Sequence, residues 1–194
     1  MNRLLFVLII TGFSITSAYS QKFGVKTNLL YDAITTMNLG VEFGMGKKWT
    51  MDVSASVNPW TFSNNKKWKI MFLQPEAKYW FCENFNGHFI GFHAHGGEFN
   101  IGGIDVPSFK WLGKDLGQLK DHRYEGWFVG AGLTYGYSWI LSTRWNLEAS
   151  IGIGYSYIKY DRYQCPSCGE WLNDGHYHYV GPTKAALSLI YLFK

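Results

Sequence analysis

The sequence predicts an all-β protein, an eight-stranded antiparallel transmembrane β-barrel of the small outer-membrane type with a filled interior. Three observations predict it: apolar and small polar residues alternate, the alternation runs through long segments, and aromatic residues lie near the segment ends. The clearest segment runs from Trp127 to Tyr157, with a short turn at residues 141–144. A period of two on both sides of a turn indicates two long antiparallel strands.

The two faces of these strands predict opposite surroundings. One face is mainly Gly, Ser, Thr and Asn, which make a poor solvent surface but fit the crowded interior of a small closed barrel. The other face carries Leu, Ile and Val, which suit lipid, with Trp and Tyr where the membrane interfaces belong. A soluble barrel with the apolar face inside is the alternative interpretation.

The same alternation predicts eight strands along the chain. They cover residues 23–31, 39–45, 49–58, 69–81, 88–99, 127–139, 145–157 and 184–193. Pro75 predicts a bulge in the fourth strand, because proline cannot donate to a sheet ladder. Short connections around Gly46, residues 84–87 and Ser142 alternate with longer ones, including 59–67, 100–124 and 161–182. This asymmetry predicts periplasmic termini and long extracellular loops.

Several charged residues fall on inward positions of the predicted strands. They are Lys26, Glu42, Asp52, Glu76, Lys78, Glu148 and Lys184. Buried charges must pair, so we expect a lumen network of four acids and three lysines. An eight-stranded interior is just wide enough for side chains, which favours a structural plug over a narrow ion path. His93 and His95 share this inward face, where hydrogen bonding is favoured over acid–base chemistry.

One loop carries a pattern typical of either a disulfide or a metal site. Cys165 and Cys168 lie three positions apart, and His176 and His178 follow them. A Cys165–Cys168 disulfide is the favoured interpretation outside the inner membrane. A Zn²⁺ site with mixed sulfur and nitrogen ligands is the alternative, and no other cofactor is expected.

The first 20 residues predict a secretory signal peptide, followed by one barrel domain at residues 21–194. Arg3 supplies the basic start, residues 4–10 are apolar, and Ala18 and Ser20 are the small residues before the cut. The formal charge of +4 falls to +3 without Arg3, too little to indicate a nucleic-acid partner. The chain is 47% hydrophobic and 16% charged with 22 glycines, which is typical of a membrane barrel. The expected location is the outer membrane.

Several short motifs together resemble an uncharacterised family of Bacteroidota outer-membrane β-barrel proteins, a domain of unknown function. The motifs are KTNLLYD (26–32), NLGVEF (38–43), NPW (58–60), QPE (74–76) with YWF (79–81), YGY (135–137), RWNLE (144–148) and GPTK (181–184). The Cys165/Cys168 pair resembles a family feature too. The resemblance implies an outer-membrane location and an association with fimbrial or cell-surface assembly genes. It supplies no catalytic residues.

These observations predict a structural or surface-interaction protein rather than an enzyme. Its filled barrel would anchor outer loops that support fimbrial or cell-surface assembly or adhesion, with membrane lipid and surface proteins as partners. An outer-leaflet lipid-modifying enzyme is one alternative. However, Ser108, His122, His176 and His178 lie in predicted loops without a nucleophile motif. A narrow ion or solute channel is the other alternative.

Overall fold

The computed structural model describes residues 23–62, 66–103, 110–111, 114–115, 122–164 and 169–193. Almost all of this part of the chain is extended. The elements are β1 (Phe23–Asn28), α1 (Leu29–Ala33), β2 (Met37–Gly44), β3 (Trp49–Asn58), β4 (Thr61–Phe62), β5 (Lys66–Trp80), β6 (Gly87–Gly102), β7 (Lys110–Trp111), β8 (Lys114–Asp115), β9 (Arg123–Ile140), β10 (Trp145–Tyr163) and β11 (Trp171–Phe193).

Eight of these strands form a closed hydrogen-bonded ring, which confirms the predicted number and the antiparallel pairing. Its order is β1-β2-β3-β5-β6-β9-β10-β11, and β11 pairs with β1 to close it. The two-residue strand β4 pairs with β5, and β7 pairs with β8 outside the ring. No helix in the described ranges is both long and apolar enough to cross a membrane.

The ring is polar inside and apolar outside. Among the described residues, 21 buried side chains are polar or charged and only six are hydrophobic. Most large aliphatic and aromatic side chains instead lie on the outer surface, where Leu133 and Ile153 are each 64% exposed. This distribution follows from the alternation in the sequence, because successive side chains of a strand point to opposite faces.

The first predicted strand ends earlier than expected. Residues 29–31 were predicted as strand, but they belong to helix α1. The Asn28 side chain accepts a hydrogen bond from the backbone N–H of Leu30, which is the geometry of a helix N-cap. The strand therefore ends at the helix cap, Asn28, although the alternation of residues continues to Tyr31.

The last strands are longer than the alternation of apolar residues indicated. Parts of the predicted loops 100–124 and 161–182 are strand, because β9 begins at Arg123, β10 reaches Tyr163 and β11 begins at Trp171. These extensions are rich in Tyr and Trp, which favour strands without a strict apolar period. As a result, β9, β10 and β11 continue well beyond the ends of β1, β2 and β3 on the side away from the short turns.

The bulge predicted at Pro75 is wrong. The β5–β6 ladder is interrupted between the pairs Leu73↔Gly96 and Glu76↔His93, but it resumes in the same register. A register shift lies instead in the β10–β11 ladder, where Gly152 pairs with Lys184 and Ile153 pairs with Pro182. The residue left over is Thr183, so proline does accompany a bulge, but in another strand.

Candidate functional site

The interior of the ring is closed at the short-turn end by an apolar floor. Phe85 lies in the turn between β5 and β6, folds into the ring and is 1% exposed. The Phe85 and Phe89 rings lie with their centroids 6.0 and 4.7 Å from that of Trp80. Asn146 donates a 2.6 Å hydrogen bond to the Phe85 carbonyl, which fixes the inserted turn. Sequence reasoning missed this floor, although an aromatic residue between Asn84 and Asn86 was a signal for it.

The next layer holds all of the predicted inward charges. Lys26, Glu42, Asp52, Glu76, Lys78, Glu148 and Lys184 are each less than 9% exposed. The Lys78 Nζ atom lies at the centre, 2.8 Å from both Glu42 Oε2 and Glu148 Oε1. Lys26 pairs with Asp52 and lies 3.3 Å from Glu42 Oε2. The strands β1, β2, β3, β5 and β10 thus contribute to one connected cluster.

A further ion pair extends the cluster toward β11. Lys184 Nζ donates to Glu76 Oε2 at 2.5 Å. Lys184 directly follows the extra residue Thr183, so the bulge of β11 sets its inward direction. The cluster holds four carboxylates and three ammonium groups, one formal negative charge in excess.

Hydrogen bonds connect this charge cluster to the floor. The Thr50 hydroxyl donates to Glu42 Oε1 at 2.6 Å, and the Trp80 indole N–H donates to Thr50 Oγ1 at 2.9 Å. Paired and hydrogen-bonded charges are the form in which buried ions are tolerated. The layer is therefore built as a packed plug.

Inward glycines make room for the charged side chains. A Cβ atom placed on Gly91 would lie 2.5 Å from Glu76 Oε1 and 3.0 Å from its Cδ. A Cβ on Gly40 would lie 2.9 Å from Lys26 Cγ. The small residues opposite the apolar face are thus spacers for long polar side chains.

We expect Gly91→Ala to destabilise the protein by about 1–3 kcal/mol, because the added methyl overpacks the Glu76 carboxylate. The matched control is Gly96→Ala on the same strand, where a Cβ would meet only Phe128 O at 3.5 Å and Val129 Cγ2 at 3.8 Å. The measurement is urea unfolding of the two variants in the same lipid or detergent. Equal midpoints for both would contradict the spacer role.

Above the charges lies a layer of two histidines bonded to hydroxyl groups. His93 Nδ1 lies 2.8 Å from Thr134 Oγ1, and His93 Nε2 lies 2.9 Å from Thr183 Oγ1. His95 Nε2 lies 2.6 Å from Ser156 Oγ. Both rings are buried at inward positions of β6, as their spacing in the sequence suggests.

The predicted disulfide or metal site of the last loop includes two cysteines that the structure does not describe. Cys165 and Cys168 lie outside the described residues. His176 and His178 lie on the outer face of β11, with ring centroids 5.7 Å apart, and His178 Nδ1 is 2.5 Å from the Tyr155 hydroxyl. Within the described ranges, no three His, Cys, Asp or Glu side chains are grouped to hold one metal ion.

Comparisons with known proteins identify a family without an assigned activity. No curated protein matches the chain at a significant level. The family model described as "Protein of unknown function (DUF3575)" matches residues 4–193, nearly the whole chain. The chain therefore belongs to the DUF3575 family of proteins of unknown function.

Proposed function

We propose that this protein is a transmembrane β-barrel of a bacterial outer membrane with a structural or surface-interaction role and no catalytic activity. The observation that carries the proposal is the inverted burial, with polar side chains inside the ring and large apolar ones outside. In water, this protein would expose a continuous apolar surface far larger than the apolar patches typical of soluble proteins. Contact between the same surface and the hydrocarbon of a membrane is favourable.

Aromatic side chains on the outer surface support this proposal. At the short-turn end, Trp145 contacts Tyr191 with ring centroids 5.0 Å apart. At the other end, Trp127 contacts Tyr157 at 5.7 Å. Trp127 and Tyr137 are ten positions apart on β9, so at about 3.4 Å per residue and a tilt of about 40° their levels differ by about 26 Å. Outer-membrane barrels have an apolar band about 25 Å tall between two aromatic girdles.

The filled interior favours a plug over a channel. The floor of Trp80, Phe85 and Phe89 and the paired charges above it occupy the cross-section at two successive levels. We therefore expect purified protein to give no large, reproducible conductance in a planar bilayer. A large, reproducible conductance would contradict the structural plug and favour the channel alternative.

The lipid-modifying enzyme has one specific observation in its favour, the Ser156–His95 contact inside the ring. For His95 Nε2 to accept the serine proton, Nδ1 must carry the imidazole hydrogen. That atom is buried and has no hydrogen-bond partner in the described residues, so no group orients the imidazole as a base. His93 makes the same kind of hydroxyl contact with two threonines, which favours a structural role for both rings.

The surface role is supported by the extension of β9, β10 and β11 beyond the ring and by exposed apolar residues near its end. Trp171 is 58% exposed and Leu172 is 42% exposed. We propose that this end contacts fimbrial or other surface proteins. The test is a strain lacking the protein, complemented with the full chain or with Trp171→Ala/Leu172→Ser. Loss of surface assembly or adhesion, restored only by the full chain, supports the proposal, and unchanged assembly contradicts it.

A charge on the outer surface separates the membrane proposal from the soluble alternative. We expect Leu133→Lys to lower the unfolding free energy in lipid vesicles by about 2–4 kcal/mol, since Leu133 lies midway between the aromatic bands. Leu172→Lys, beyond those bands, is the control and should cost about 0–1 kcal/mol. If Leu133→Lys has no larger effect than Leu172→Lys, this face does not contact hydrocarbon.

A further inference from the structure

A cavity of about 290 Å³ lies inside the ring, above the histidine layer and toward the extended strands. Its walls come from α1 and the segment after it, and from β5, β6, β9, β10 and β11. Its volume is close to the lower end of about 300–1,000 Å³ for small-molecule sites. The plug thus fills only the lower levels of the ring.

The walls of this cavity are largely aromatic and aliphatic. Tyr31 contacts Phe72 with ring centroids 5.8 Å apart, and Phe72 contacts Phe128 at 6.3 Å. Ile158, which pairs with Phe128, and Tyr179 continue this wall along β10 and β11. No Asp, Glu, Lys or Arg side chain is among its described lining residues.

Polar groups converge at its inner end. Gln74 lines the cavity at this end and is 5% exposed. Its amide provides both a hydrogen-bond donor and an acceptor for a ligand. Ser156 and His95 line the cavity as well, bonded to each other. Apolar walls with a few convergent polar groups are the usual composition of a ligand site.

We propose that this cavity binds an uncharged small molecule that has an aromatic or alkyl body and one hydrogen-bonding group, with the body against Phe72 and Phe128 and the polar group at Gln74. The absence of charged side chains from the described walls disfavours an ionic ligand. The site is independent of the surface role proposed above, because it needs only the closed ring.

The test uses purified full-length protein in detergent and a neutral photoreactive probe, 4-butylphenyl trifluoromethyl diazirine, followed by peptide mapping. Labels on Phe72, Phe128 or Tyr179 report entry into the ring. Labels on the outer residues Phe92 and Leu133 report simple partitioning into detergent. We expect the interior labels to saturate and the outer labels to rise in proportion to probe concentration.

Two variants of β10 make the result specific. Ile158→Trp fills the cavity and should reduce interior labelling at least fivefold. Ile153→Trp, on the outer face of the same strand, should leave it unchanged. Interior labelling that does not saturate, or that survives Ile158→Trp, overturns the site.

Competition tests the polar end of the cavity. We expect 4-butylphenol to displace the probe at about tenfold lower concentration than 4-butyltoluene, because one additional hydrogen bond is made. The variant Gln74→Leu keeps a similar volume and should abolish this difference. Equal competition by both compounds in the unmodified protein overturns the role of Gln74.

Discussion

Replacing Lys78 with methionine should destabilise the protein by about 3–5 kcal/mol, because Glu42 and Glu148 then remain buried without the ammonium group between them. Both carboxylates lie 2.8 Å from Lys78 Nζ, and the lysine side chain has no solvent exposure. Methionine keeps a long, unbranched side chain, so the change removes mainly charge. The measurement is urea unfolding in phospholipid vesicles.

Two further variants separate this effect from the general loss of a lysine. Lys69→Met, at an exposed position of the same strand, should change the unfolding free energy by less than about 0.5 kcal/mol. Lys78→Met combined with Glu148→Gln removes one of the unpaired charges and should recover part of the stability. If Lys78→Met costs no more than Lys69→Met, the cluster is not a paired network.

Replacing Phe85 with alanine should cost about 3–5 kcal/mol, because a fully buried aromatic ring leaves a cavity in the floor. Phe85 has a positive φ of 65°, which is strained for a residue with a Cβ. Phe85→Gly should therefore be less destabilising than Phe85→Ala, by about 1 kcal/mol, although it removes one more carbon.

The same urea titration measures these variants, with Phe81→Ala as the control. Phe81 lies next to the same turn but is 47% exposed on the outer face. We expect its replacement to cost much less, because removing an exposed side chain leaves no cavity in the floor. An equal cost for Phe81→Ala and Phe85→Ala would mean that Phe85 does not form a packed floor inside the ring.

Local alternation predicted the strands of the ring well, because the direction of a side chain depends only on its position in an extended segment. Glu42, Lys78 and Glu148 belong to different strands, yet each was placed inward by its own neighbours. Their contacts follow from closure, since inward side chains of a narrow ring meet across its axis. The sequence could therefore identify the members of the charge cluster but not the central position of Lys78.

Features that depend on pairing between distant strands could not be predicted in the same way. The bulge at Thr183 depends on the register of β10 against β11. Pro75 predicted a bulge in β5 instead, and that prediction was wrong. The cap at Asn28 involves one side-chain hydrogen bond that competes with strand continuation. The cavity needs the full lengths of β9, β10 and β11, which were underestimated because their ends lack a regular apolar period.

The most direct measurement is electrophoretic mobility before and after boiling, on membrane fractions from cells that make the protein. We expect a band in the outer-membrane fraction that migrates differently when unheated, because a closed sheet with an apolar exterior resists unfolding in detergent. A periplasmic, water-soluble protein with one mobility would contradict the outer-membrane proposal. The apolar face would then need another covering, such as a partner protein.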